Sequence, residues 1–209
     1  MSDILNVLGI HKVIPVVVLN NSEDAIPLAK ALVEGGLPVA EVTFRTDAAL
    51  EAIRIIAESY PEIVLGAGSV SNIEQVKCAI DAGAKYIVCA GFSKKVVDYC
   101  VNNDIPIVPG ICTPTEMMMA QECGLNVVKF FPSEQCGGLK TINAISAPFP
   151  KMKFIPTGGI SMKNIKEYLS CDKILACGGS WMVNNSLIKT GEFDKIKELV
   201  AETVKLVNS

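Results

Sequence analysis

Eight short runs rich in β-branched residues recur along this chain, and each is followed by a segment with helical spacing. That alternation constrains the fold more than any other feature. The runs are VIPVVVL (13–19), VAEVTFR (39–45), IVLGAGSV (63–70), YIVCAG (86–91), PIVPGIC (106–112), VVKFFP (127–132), KFIPTGGI (153–160) and KILACGG (173–179). Near-continuous apolar runs of this kind suit parallel strands covered on both faces. Between them lie SEDAIPLAKALVEGG (22–36), with Ser22 as a candidate N-cap, then TDAALEAIRIIAESY (46–60), SNIEQVKCAIDAG (71–83) and SKKVVDYCVNN (93–103). TPTEMMMAQECG (113–124) places Pro114 at a first-turn position. The segment SEQCGGLKTINAISAPF (133–149) is the least regular, and SMKNIKEYLS (161–170) and GEFDKIKELVAETVKLVNS (191–209) complete the series. Eight strands alternating with eight helices predict an α/β fold, a (β/α)8 TIM barrel forming one domain over residues 1–209, with a short N-terminal helix at about 2–12. A doubly wound open sheet is the alternative that alternation also admits.

Composition narrows the class of function. Half of the 209 residues are hydrophobic and a fifth charged, which is ordinary for a compact protein. A net charge of −3 argues against a nucleic-acid surface, and no Lys/Arg run suggests a membrane patch. The opening residues lack the basic and apolar regions of a secretory signal, and no apolar run has the length of a membrane span, so the expected compartment is the cytoplasm. No two of the eight cysteines are spaced as CxxC and His11 is the lone histidine, a pattern that predicts reduced, mostly structural thiols and no metal site.

Three groups of polar or small residues stand out against this frame. In a TIM barrel the active site lies at the C-terminal ends of the strands. Glu41, Thr43 and Arg45 share one face of the second strand, with Glu41 the deeper and Arg45 nearer the mouth. Lys129 sits inside the apolar sixth run, sharing parity with Val127 and Phe131. An apolar surround disfavours an ammonium and favours the neutral amine that attacks carbonyls. The alternatives are an ion pair with a carboxylate or a side chain that snorkels outward. Gly158 and Gly159 end the seventh run, and Gly178 and Gly179, followed by Ser180, end the eighth. Barrel enzymes often bind phosphate there, through backbone amides and a helix N-terminus. Gly66, Gly68 and Ser69 form a weaker fourth group at the end of the third run.

Together EVTFRT, GAGSV, PGICTPTE, KFFPSE, PTGGI and GGSW, in this order, resemble the KHG/KDPG aldolases, class I aldolases acting on 2-keto-3-deoxy-6-phosphogluconate. The resemblance runs from VIPVVVL to GGSW. It implies that Lys129 forms a Schiff base with pyruvate, that Glu41 is the general acid/base and that Arg45 holds the pyruvate carboxylate. It places Ser69 near that carboxylate, where the family usually has threonine, and Phe131 along the site. Thr157 then contacts the hydroxylated chain, and Gly158, Gly159, Gly179 and Ser180 cradle the phosphate. Ala90 stands where many relatives have proline. The implied reaction yields pyruvate and glyceraldehyde 3-phosphate, uses no metal or other cofactor, and extends to unphosphorylated 4-hydroxy-2-oxoglutarate. The implied assembly is a homotrimer with small-molecule partners only. Two other activities fit the same frame: an aldolase for the galactonate epimer, and a phosphosugar isomerase or epimerase that would have no use for the strand lysine.

Overall fold

The computed structural model describes residues 3–209. Among them nine strands pair in parallel: β1 Val13–Val17, β2 Val39–Thr43, β3 Val64–Gly68, β4 Tyr86–Val88, β5 Ile107–Val108, β6 Gly110–Ile111, β7 Val127–Phe130, β8 Lys153–Pro156 and β9 Cys177–Gly179. Six pair in the order β5-β4-β3-β2-β1-β9 and three in the order β6-β7-β8. Two junctions turn these arcs into a closed α/β barrel. At the first, the fifth run divides into β5 and β6 at Pro109, which has no N–H for a ladder. The Pro109 carbonyl still accepts from the Lys129 N–H at 2.9 Å. At the second, Phe154 bridges Ile174 and Thr157 bridges Gly178. The last run therefore contributes a strand shorter than its apolar stretch, with residues 173–176 outside it.

The helices are α1 Asp3–His11, α2 Ala25–Glu34, α3 Ala49–Ser59, α4 Ile73–Asp81, α5 Lys94–Asn102, α6 Pro114–Glu122, α7 Gly138–Ser146, α8 Ile165–Leu169, α9 Asn185–Lys189 and α10 Phe193–Val207. The N-terminal helix expected at 2–12 is α1; residue 2 lies outside the described residues, and Lys12, at φ 63°, ends it. Ser22 is not a cap. It begins a short 3-10 turn, and Asn21, extended at φ −134°, accepts from the Glu23 N–H instead. Pro114 does open α6, behind a capping box in which Thr113 and Glu116 bond each other's backbone N–H. The irregular segment after the sixth run resolves into a 3-10 turn, Glu134–Cys136, followed by α7. The short α9 was not expected.

The apolar faces of α2 (Leu28, Ala29, Leu32) and α10 (Ile196, Val200) are buried in the outer layer. Inside the barrel, strand register sets the spacing of large and small residues. Gly66 pairs with both Glu41 and Tyr86, and Gly110 pairs with Lys129. Tyr86 is fully buried, donates to the Ala40 carbonyl at 3.2 Å, and lies so close to Gly66 that a methyl group there would come within 2.2 Å of its ring. Gly66→Ala should therefore cost about 1–3 kcal/mol of stability in urea unfolding, the range of an overpacked core. Gly91→Ala, with open space around it, should be near neutral. Equal midpoints for the two variants would contradict this packing.

Candidate active site

Lys129 and Glu41 come from strands β7 and β2, 88 residues apart in sequence, and meet inside the barrel. The lysine Nζ donates to Glu41 Oε1 at 3.2 Å, and each side chain is only 3 % exposed. An ammonium and a carboxylate taken this far out of water need each other, because neither has bulk solvent as a substitute. Among the described residues this is the one ion pair with both members buried.

Glycine makes the meeting possible. A methyl group on Gly68 would lie 2.3 Å from Glu41 Oε1 and 2.6 Å from its Cγ, so the carboxylate arm lies across that residue. Tyr86 and Cys89, both buried, sit within the field of the pair. Burial, with Glu41 adding to it, pushes the Tyr86 phenol well above its usual value. The Cys89 thiol is pushed up to about 12, chiefly by burial. Both groups stay protonated at neutral pH, leaving Lys129 as the candidate nucleophile.

Toward the mouth, the half-buried Phe131 places its ring 5.3 Å from Lys129 Nζ, within cation–π range. Arg45 lies beyond the end of β2, exposed, and its Nε donates to Ser69 Oγ at 3.1 Å. Ser69 adopts φ 58°, a left-handed conformation that costs a β-branched residue more than it costs serine. Ser69 therefore supplies the hydroxyl that meets Arg45 from a backbone position that serine tolerates. Thr43, sharing the face of Glu41, is spent on structure: its hydroxyl donates to the Val17 carbonyl at 2.9 Å.

Just past β8, the neighbour of β7, Thr157 Oγ1 is buried with no hydrogen-bond partner among the described residues. Such an orphan is costly unless a ligand answers it. Gly178 makes room for Thr157, since a methyl there would lie 2.3 Å from the threonine Oγ1. Gly158 and Gly159 both take left-handed conformations, φ 100° and 78°. Gly179 leaves room for the Trp181 ring, and Ser180 is exposed beside it. Arg45, Gly159, Ile160, Ser161 and Ser180 line one cavity of about 540 Å³. Ala90 is exposed at the end of the fourth run, with its carbonyl pressed toward Gly110.

The structure thus brings together a buried amine and carboxylate, an arginine–serine pair at the mouth, and a glycine-lined cavity that Arg45 also lines. A model of the family described as "Aldolase: KDPG and KHG aldolase" matches residues 4–199. The chain belongs to that family. It is 44% identical to the 2-dehydro-3-deoxy-phosphogluconate aldolase of Treponema pallidum, over 99% of each chain. It is 42% identical to the KHG/KDPG aldolase of Escherichia coli K12, over 96% of this chain and 94% of the relative. Among solved structures it is similar to the KDPG aldolase of Legionella pneumophila, in which pyruvate was captured at low pH as a covalent carbinolamine intermediate. That match has a TM-score of 0.93 at 37% identity, covering 96% of this chain and 98% of that one. The Zymomonas mobilis ZM4 enzyme with 3-phosphoglycerate matches at TM-score 0.90 and 38% identity, over 97% and 95% of the two chains.

Reading motifs along the chain missed several residues that build the site. Tyr86 packs on Gly66. Ser133, Glu134 and Asn164 bond the backbone carbonyls of 157–159, and Tyr168 holds Ser133 and Glu134. Single residues at irregular spacing carry no periodic signal. Glu41→Ala, which strands the Lys129 ammonium, should cost about 3–5 kcal/mol of stability in urea unfolding. The double variant Glu41→Leu with Lys129→Met should recover most of that loss. A double variant no more stable than Glu41→Ala would show that the pair is not the origin of the cost.

Proposed function

We propose that this protein is a class I aldolase, a carbon–carbon lyase that cleaves 2-keto-3-deoxy-6-phosphogluconate to pyruvate and glyceraldehyde 3-phosphate. The observation that carries the reading is the buried hydrogen bond between Lys129 and Glu41, in a chain of the KDPG and KHG aldolase family. A proton passed from the ammonium to the carboxylate leaves a neutral amine beside an acid. The amine attacks the C2 ketone to give a carbinolamine, and loss of water gives an iminium. That iminium takes up the electron pair of the C3–C4 bond as it breaks. Glu41, again a carboxylate, accepts the proton of the C4 hydroxyl, directly or through water, and the aldehyde leaves. The enamine regains a proton at C3, and hydrolysis of the iminium releases pyruvate and restores the amine.

The other residues follow from the geometry around the pair. Arg45, steadied by Ser69, offers two parallel donors to the keto-acid carboxylate. The unpartnered hydroxyl of Thr157 answers a substrate hydroxyl, and Phe131 covers the lysine. Gly158, Gly159, Gly179 and Ser180 take the phosphate. The E. coli relative's name, KHG/KDPG aldolase, supports 4-hydroxy-2-oxoglutarate as a second substrate, cleaved to pyruvate and glyoxylate by the same lysine. A site serving two acceptor aldehydes would bind the shared pyruvate half tightly and the variable half through separate contacts. We further propose that residues 1–209 act as one domain, in the cytoplasm, as a homotrimer.

Incubation with pyruvate and borohydride, followed by peptide mass mapping, should place a reduced pyruvyl adduct on Lys129. Absence of an adduct on folded protein would favour the isomerase reading. Lys129→Ala should lower kcat/KM by roughly 10⁴-fold or more, the scale of removing a nucleophile. Arg45→Lys should raise the substrate KM about tenfold, the loss of one charge-assisted hydrogen bond. An unchanged KM would remove Arg45 from carboxylate binding.

A further inference from the structure

The glycine loop after β8 is held from outside at three successive carbonyls. Thr157 O accepts from the Ser133 N–H at 2.8 Å, and Gly158 O from the Glu134 N–H at 3.1 Å. Gly159 O accepts from Asn164 Nδ2 at 3.1 Å, while Asn164 Oδ1 accepts from the Ser161 N–H at 2.8 Å. In a trans peptide plane the carbonyl and the next N–H point in opposite directions. Fixing these three oxygens therefore turns the N–H groups of Gly158, Gly159 and Ile160 to the other side of the loop. Gly159 and Ile160 line the cavity shared with Ser180 and Arg45. Successive N–H groups aimed one way form an anion-binding concavity.

The two residues that hold Thr157 and Gly158 are themselves held by Tyr168 on α8. Its hydroxyl donates to Glu134 Oε1 and lies 3.0 Å from Ser133 Oγ, and both Tyr168 and Ser133 are buried. Burial, with the Glu134 hydrogen bond adding to it, pushes this phenol up to about 12, so it stays a donor at neutral pH. Gly138, at φ 56°, makes room for the contact: a methyl there would lie 2.7 Å from the Tyr168 hydroxyl and 2.8 Å from Glu134 Oε1. Glu134 also lies against Gly159, where an added methyl would come within 2.5 Å of its Cγ. Removing the tyrosine hydroxyl would both loosen the loop and release a carboxylate beside it.

We infer that Asn164 and Tyr168 are positioning residues that brace the loop 157–161 from α8 and its leading residue, and so set the affinity for the phosphorylated end of the substrate. The inference rests on the reading of this loop as the phosphate cradle. It assigns the pair no part in the chemistry at Lys129. Loss of either brace costs phosphate contacts and spares the pyruvate half.

The test uses the full chain as Tyr168→Phe and Asn164→Ala, assayed with 2-keto-3-deoxy-6-phosphogluconate, with 4-hydroxy-2-oxoglutarate, and with inorganic phosphate as inhibitor. Each variant should raise KM for the phosphorylated substrate by about tenfold, the scale of one lost hydrogen bond, with kcat within about twofold. The inhibition constant for phosphate should rise in parallel, and kcat/KM for the unphosphorylated substrate should be unchanged. Equal losses on both substrates would reduce the pair to general structural roles and overturn the inference. So would an unchanged KM for the phosphorylated substrate. Asn164 is half-buried, so its variant carries the test if the one at buried Tyr168 does not fold. A wild-type protein that neither favours the phosphorylated substrate nor is inhibited by phosphate would sink the cradle and the brace together. One that does both, beside variants that behave like it, would sink the brace alone.

Discussion

Everything in this barrel accommodates one unfavourable act, the burial of a lysine and a glutamate together. The cost of stripping water from two charges is of the order of several kcal/mol each, and their attraction repays it only with good geometry. A hydrophobic pair of similar volume would serve stability better. The barrel instead keeps Lys129 and Glu41 at 3.2 Å and arranges its neighbours for their sake. Gly68 clears the path of the glutamate, Gly66 admits the Tyr86 ring alongside, and Cys89 stays a protonated, inert neighbour. The same burial holds a proton donor and an acceptor within hydrogen-bond distance of each other.

The glycine motifs have different physical reasons, although they look alike in sequence. Gly158 and Gly159 are needed for left-handed backbone. Gly178 and Gly179 are needed for space, one for the Thr157 hydroxyl and the other for the Trp181 ring. Gly138 combines both requirements, a left-handed φ and room for the Tyr168 hydroxyl. A doubled glycine is therefore a sign of crowding as often as of a turn, and three-dimensional neighbours decide which.

Much of the architecture was legible because parallel strands and amphipathic helices write periodic patterns. The inward face shared by Val127 and Lys129 follows from a repeat of two, and the barrel from the eightfold count. What escaped notice is local or non-periodic. Pro109 splits a run that reads as one strand, because the missing N–H matters more than the β-branched residues around it. Asn21 rather than Ser22 begins the capping, since backbone extension and not residue type alone selects the cap. The motifs pointed to Lys129, Glu41 and Arg45 through their chemistry and a family resemblance. Tyr168 sits on α8 and Asn164 just before it, in a segment whose pattern speaks only of packing, and their polar atoms have meaning only beside residues 133–161. Thr157 stood out by resemblance, while its unpartnered oxygen is a fact of packing that no spacing encodes.

The division of the barrel into a six-stranded arc and a three-stranded arc puts Glu41 on one and Lys129 on the other. Each arc is laced by a continuous ladder; at Pro109 the backbone itself passes from one arc to the other, whereas the β8–β9 edge rests on isolated bridges. Fewer ladder bonds therefore oppose local opening between β8 and β9 than within either arc. The reactive pair itself spans the two arcs. Their hydrogen bond is thus a tie across the inside of the barrel as well as a piece of its chemistry, so whatever occupies the lysine also occupies a strut of the wall.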